Sequence, residues 1–231
     1  MTLCFTWNIP APGGGVAGEE LCVGFDRDRA VRLLVLPAWF DEANKLRRFT
    51  LEVMRRLDGA GIDSLLPDLP GCNESLAPLV DQTLEGWREA AAAAAEALRA
   101  THVLAIRAGA LLAPSALPGW HYAAQSGPKL LRGMLRARVI ASRESGIAET
   151  SEGLGDEGRE RGLVLGGWAL GTAMIRALER AEPVPGPAQS AIPQSALGGA
   201  GLWLRAEPDH DAAQADRLAA LILGGLAGDA P

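Results

Sequence analysis

Residues 101–114, THVLAIRAGALLAP, decide how the rest of the chain is read. His102 to Ile106 is a short apolar run containing Val103 and Ile106, the length of a strand buried on both faces. The chain turns at Arg107-Ala108-Gly109, and residues 110–113 are good helix formers. A strand that breaks sharply into a helix, with small residues around one exposed side chain, is the layout of a nucleophile elbow, G-x-S-x-G. Here those positions read Ala105-Ile106-Arg107-Ala108-Gly109: the small residues are kept and an arginine stands in the serine's place. A guanidinium stays protonated and cannot attack a carbonyl.

On the N-terminal side, residues 30–36 (AVRLLVL) form a near-continuous apolar run, as a central strand does. Residues 3–9 and 20–25 alternate and are separated by Pro12-Gly13-Gly14-Gly15, which predicts an antiparallel edge. Residues 37–42 read as a loop. From Asn44, Leu46, Phe49, Val53 and Leu57 recur at helical spacing, and Gly59 and Gly61 end that helix. Its other face carries Lys45, Arg47, Arg48, Arg55 and Arg56. Residues 62–67 are the next strand, residues 68–75 a tight loop, and Leu84, Trp87, Ala91, Ala95 and Leu98 stripe an alanine-rich helix.

On the C-terminal side the pattern predicts a strand at 120–124 and a helix at 129–141. Residues 143–160 are polar and read as a mobile insertion or a short frayed helix. A strand at 161–167, a helix at 172–180, a loop at 183–195, a strand at 201–206 and a helix at 212–226 complete the pattern. Alternating strands and helices imply an α/β fold: a mostly parallel central sheet with helices on both faces and an antiparallel N-terminal edge. We expect one domain spanning 1–231, with a lid-like excursion near 127–160.

A length of 231 residues at 48% apolar composition suits such a domain. The net charge of −6 argues against a nucleic-acid partner, which would need a concentrated basic face. No basic stretch followed by an apolar core opens the chain, and no apolar run approaches the ~20 residues of a membrane span. The three cysteines, Cys4, Cys22 and Cys72, are scattered in neither a disulfide nor a zinc pattern. The expectation is a cytoplasmic protein with no metal site and no cofactor.

Three stretches together resemble a known family. Phe40-Asp41-Glu42-Ala43-Asn44-Lys45-Leu46-Arg47-Arg48 is similar to an F-x-E-E-x-N-K-x-R-R segment, with Asp41 where the family often has Glu. Residues 67–75, PDLPGCNES, resemble a P-D-L-x-G-C-G-D/E-S loop, with Asn73 for a glycine. Asn is the residue that, after glycine, best tolerates a left-handed backbone. Residues 106–113 are similar to a family form that carries arginine in the elbow, and residues 130–138 also match. The family is that of the exosortase A system-associated hydrolases of bacterial exopolysaccharide loci, within the α/β-hydrolase superfamily. The resemblance implies an α/β-hydrolase fold and an accessory role in such a system; no defined reaction comes with it.

A hydrolase triad runs Ser, acid, His along the chain. The serine seat holds Arg107, and no carboxylate follows the strand at 120–124 or Gly167, although Glu149, Glu152, Asp156 and Glu157 lie between. His210 follows the last expected strand, either as a catalytic base or as an exposed loop histidine beside three acids. Cys72 is either a half-buried loop cysteine or a reactive thiolate. Arg107 has two compatible readings. In one it pairs with Asp41, Glu42 or Asp68. In the other it joins the amides of its helix N-terminus to hold a carboxylate, a phosphate or an acidic sugar. Asn44 and Lys45 are pocket candidates beside the loop that builds an oxyanion hole. The partner expected is therefore an anionic small molecule or an acyl or sugar ligand at a retired catalytic centre. The alternatives are an active esterase or thioesterase using an unusual nucleophile with His210 as base, and a homo-oligomeric scaffold built on exposed sheet edges.

Overall fold

The computed structural model describes residues 3–10 and 16–228, so the turn expected at 12–15 lies outside the described residues. Two strands, β1 (Leu3–Pro10) and β2 (Val16–Phe25), pair antiparallel. They are followed by β3 (Arg32–Leu36), α1 (Asp41–Gly59), β4 (Asp63–Pro67), α2 (Leu84–Ala97) and β5 (His102–Ile106). After β5 come β6 (Gly119–Tyr122), α3 (Gly127–Glu144), α4 (Ser151–Arg161), β7 (Leu163–Leu165) and β8 (Trp168–Leu170). The chain closes with α5 (Thr172–Leu178), β9 (Gln189–Ile192), α6 (Gln194–Leu197) and α7 (Ala212–Gly228).

The main sheet has seven strands in the order β1-β2-β4-β3-β5-β6-β9, parallel from β4 to β9 and antiparallel at the β1/β2 end. Each central strand is buried on both faces, which its unbroken apolar run requires. Two apolar cores result. Leu33, Val35, Leu104 and Ile106 pack with Phe49, Val53, Leu218 and Ile222 of α1 and α7. Leu34, Leu36, Val103 and Ala105 pack with Trp87, Ala91 and Ala94 of α2 and with Met174 and Leu178 of α5.

This topology fixes where a ligand can sit. From β3 the chain crosses to β4 on one side, then returns past β3 to β5 on the other. The crevice beyond the carboxyl ends of β3 and β5 is therefore the switch point, where open α/β sheets bind ligands.

Five expectations are corrected. The first long helix starts at Asp41, three residues early: Phe40 takes a φ of 56° and turns the chain straight into it. Asp41 and Glu42 then lie in the first helical turn, where the macrodipole favours acids. The elbow opens only a 3₁₀ turn, Arg107–Leu111, because Pro114 follows closely and the residue before proline avoids the helical region. Of the two readings of residues 143–160, the short helix is the one that forms: α4 begins at Ser151, and its first turn is capped by Thr150 Oγ accepting from the Gly153 amide. The strand expected at 161–167 is only β7, paired with β8 in a hairpin apart from the main sheet. The last strand is β9, in the expected loop at 183–195, while the strand expected at 201–206 is a 3₁₀ turn, Leu202–Leu204.

Candidate functional site

The turn after β5 keeps the tight geometry of an elbow. Arg107 has a φ of 55°, the left-handed region that a non-glycine residue enters only under constraint. The constraint comes from Gly109: a Cβ there would lie 2.4 Å from the Leu36 carbonyl oxygen and 2.6 Å from that of Pro37. The end of β3 thus presses against the turn and lifts residue 107 to its apex.

The Arg107 side chain does not reach into open space. Its Nε and Nη2 donate to both oxygens of Glu42 at 2.8 and 3.0 Å, a bidentate pair, and Nη1 donates to the Ala123 carbonyl at 2.8 Å. The Gln125 amide, turned to satisfy both neighbours, donates to Glu42 and accepts from Arg107 at 3.2 Å each. The guanidinium carbon also sits 4.0 Å from the Trp203 ring centroid. Both paired side chains are largely buried, 11% and 17% exposed. The anion expected at this seat thus meets a guanidinium that Glu42 already occupies. A 3₁₀ turn of five residues also supplies no helix N-terminus for it.

Above this pair lies a cleft of about 450 Å³. Its floor is Trp39, Phe40, Asp41 and Glu42 from the end of the β3 loop and the start of α1, with Gln125 beside them. Leu130, Met134 and Ala137 of α3, Leu165 of β7 and Trp168 of β8 form the roof, and Trp203 forms the side wall. The excursion from 127 onward therefore covers the switch point. Among the described residues, the lining contains no Ser, Thr, Cys or His. Asp41 pairs with Lys45 at 2.8 Å, yet keeps 73% of its side chain exposed.

The remaining candidates fall elsewhere. Asn44, Arg47, Cys72 and Asn73 line a separate cavity of about 40 Å³, on the far side of Trp39 and Phe40, which border both spaces. Asp68 is buried there and accepts from Asn73 Nδ2 at 2.7 Å, with Asn73 in the left-handed conformation, φ 50°. Beside it Glu20 is buried, accepts from the Ser75 hydroxyl at 2.7 Å, and keeps Oε2 unpartnered. Burial raises the pKa of both carboxyls; the Asp68 charge raises Glu20 further, against the lowering effect of Ser75. Burial, reinforced by the charges of Asp68 and Glu20, pushes the Cys72 thiol up to about 12, so it is a neutral thiol at ordinary pH.

His210 lies near α1 further along its length. Glu52, held below the usual carboxylate range first by Arg56, also feels the His210 charge. Glu52 is ten residues beyond Glu42, a helical rise of about 15 Å. The position after the last strand of the sheet belongs instead to Gln194 of α6, whose Oε1 accepts from the Tyr122 hydroxyl and whose Nε2 donates to Gln214 at 3.1 Å. His121 is buried on β6 with Nε2 against Gln189, and burial lowers its pKa. His102 stacks on Trp120 at the opposite end of the sheet.

No protein-family model matches the chain, and no curated protein matches it. Solved structures do. Est1E from Butyrivibrio proteoclasticus superposes with a TM-score of 0.57 at 14% identity, covering 96% of this chain and 99% of that one. Alpha/beta hydrolase domain-containing protein 10 from mouse gives a TM-score of 0.55 at 13% identity, covering 91% and 96%. The chain has the α/β-hydrolase fold. An Agrobacterium vitis S4 protein matches less fully, with 61% of its length spanned at 15% identity and a TM-score of 0.44. Among the described residues, no helix of this α/β-hydrolase fold is long and apolar enough to cross a membrane.

The tryptophans are what sequence reasoning overlooked in the site. Trp is the commonest aromatic in the chain, six against four Phe and one Tyr, and Trp39, Trp168 and Trp203 converge on one cleft from three distant segments. Their number was a legible signal; their meeting place was not.

Proposed function

We propose that this chain is a non-catalytic, ligand-binding member of the α/β-hydrolase fold, with Arg107 at the seat of the nucleophile. One observation carries the reading: the residue at the apex of the elbow is a guanidinium whose donors engage Glu42 and Ala123, under a cleft whose lining, among the described residues, has no hydroxyl, thiol or imidazole. Supporting it, Gln194 follows β9, the last strand of the sheet, where the catalytic histidine would be sought, and an amide cannot take up a proton as an imidazole does. His210 sits with Glu52 rather than with Arg107. The fold alone does not decide activity.

The sequence resemblance of residues 40–48, 67–75 and 106–113 supports an accessory role in a bacterial exopolysaccharide system of the exosortase type, and we take the protein to act in the cytoplasm. The test is turnover. Purified protein is incubated with 4-nitrophenyl acetate and butyrate and with a short acyl thioester, beside the Arg107→Ala, Cys72→Ala and His210→Ala variants. The expected result is no hydrolysis above the buffer rate for any of them. Hydrolysis that disappears with Cys72→Ala or His210→Ala overturns the reading in favour of an esterase.

A further inference from the structure

We infer that the cleft above the elbow selects organic cations, amines or quaternary ammonium groups carried on an apolar body, over anions carried on the same body. The inference deepens the binding reading and rests on it. Its first support is the order in which charges meet the void. The charged side chains that line the cleft are Asp41 and Glu42, while the cations that balance them, Lys45 and Arg107, are absent from the lining and stand behind. A ligand therefore meets two acidic residues before it meets a basic one. An anion entering the same space would face them at close range with no guanidinium or ammonium to receive it, because Arg107 spends its Nε and Nη2 on Glu42.

The second support is the wall. Trp168 and Trp203 are half-buried and line the cleft, and the face of an indole attracts positive charge. The protein already uses this attraction once, with the Arg107 guanidinium over Trp203 at 4.0 Å. Phe40 lies beside Trp168, ring centroids 5.5 Å apart, so two rings back the same corner. Opposite them, Leu130, Met134 and Leu165 offer an apolar surface that suits a hydrocarbon body and gives an anion nothing. Asp41 is 73% exposed at the helix start, so its carboxylate stays open to a ligand ammonium beside its Lys45 partner.

Calorimetric titration of the protein with three probes that share a benzyl body tests this: benzyltrimethylammonium, its uncharged isostere neopentylbenzene, and the anion phenylacetate. The expected order is benzyltrimethylammonium tightest, about tenfold over neopentylbenzene, with no saturable heat from phenylacetate. Asp41→Asn is expected to abolish the preference for the charged probe, and Trp168→Ala to weaken the charged and neutral probes together. Circular dichroism confirms that each variant is folded, and Trp168→Phe, which keeps a ring, is expected to restore most of the affinity. Phenylacetate binding as tightly as the ammonium, or no probe binding at all, overturns the inference. Ester turnover, measured separately, bears on the non-catalytic reading and leaves this charge order standing or falling on its own.

Discussion

Cutting the Arg107–Glu42 pair from each side gives the sharpest test of how the elbow is held. Breaking a fully buried ion pair costs about 3–5 kcal/mol, because the surviving charge is left without a partner. Here water reaches both groups, 11% and 17% exposed, so a cost of about 2 kcal/mol is expected for Arg107→Ala or Glu42→Ala alone. The double variant leaves neither charge stranded and should also lose about 2 kcal/mol rather than about 4, a coupling of about 2 kcal/mol. In a chain of this size each 1 kcal/mol corresponds to about 2–4 °C in Tm, so each single variant should melt about 4–8 °C lower. Backbone geometry adds a second signature. At a φ of 55° alanine is strained and glycine is not, so Arg107→Gly should be about 1 kcal/mol more stable than Arg107→Ala. Urea denaturation followed by circular dichroism at neutral pH measures both. Additive single and double costs, or a glycine variant weaker than the alanine one, would refute the reasoning.

Four further outcomes are expected. Gly109→Ala places a methyl 2.4 Å from the Leu36 carbonyl oxygen, a clash with rigid backbone, and should destabilise by about 3 kcal/mol or prevent soluble expression. Asn73→Ala loses both the bond to Asp68 and the tolerance for a φ of 50°, so its denaturation midpoint should fall further than that of Asn73→Gly, which loses only the bond. With thiols held up to about 12, Cys22 and Cys72 carry thiolate fractions of about one in ten thousand at pH 8. Iodoacetamide on the native protein should therefore label exposed Cys4 first, which peptide mass spectrometry resolves. Burial, its largest cause, lifts the folded-state pKa of Glu20 above the unfolded one, so folding takes up a proton there. That share of stability is fully present below the ordinary carboxylate range and is lost as pH rises through the lifted value; Glu20→Gln should flatten urea midpoints measured from pH 4 to 8.

Long periodic elements were legible because their burial is written in their spacing. The stripe Leu46, Phe49, Val53, Leu57 and the apolar runs of β3 and β5 needed no tertiary information. Short elements were not legible. Gln189-Ser190-Ala191-Ile192 is a strand only because β6 offers a free edge, and two of its four residues are exposed, so nothing apolar announces it. Residues 202–204 look like a strand by composition, yet Trp203 is drawn down onto Arg107 and the backbone coils to bring it there. At the site, the sequence made Glu42 a possible partner of Arg107, alongside Asp41 and Asp68. Choosing among the three needed the positive φ of Phe40, which starts α1 early and aims Glu42 at the elbow. The position of His210 relative to the sheet could not be read once β9 went unseen.

The pressure of the Leu36 and Pro37 carbonyls on Gly109 has a consequence for how such a molecule can change over evolutionary time. It freezes the shape of the bend while leaving one projecting group open to exchange. Heritable variation at residue 107 can therefore trade one chemistry for another without rebuilding the scaffold beneath it. Neighbouring codons enjoy no such latitude. A descendant with a different occupant at that position would inherit the same socket and the same roof, but would need a new partner for Glu42 and a new neighbour for the Trp203 indole.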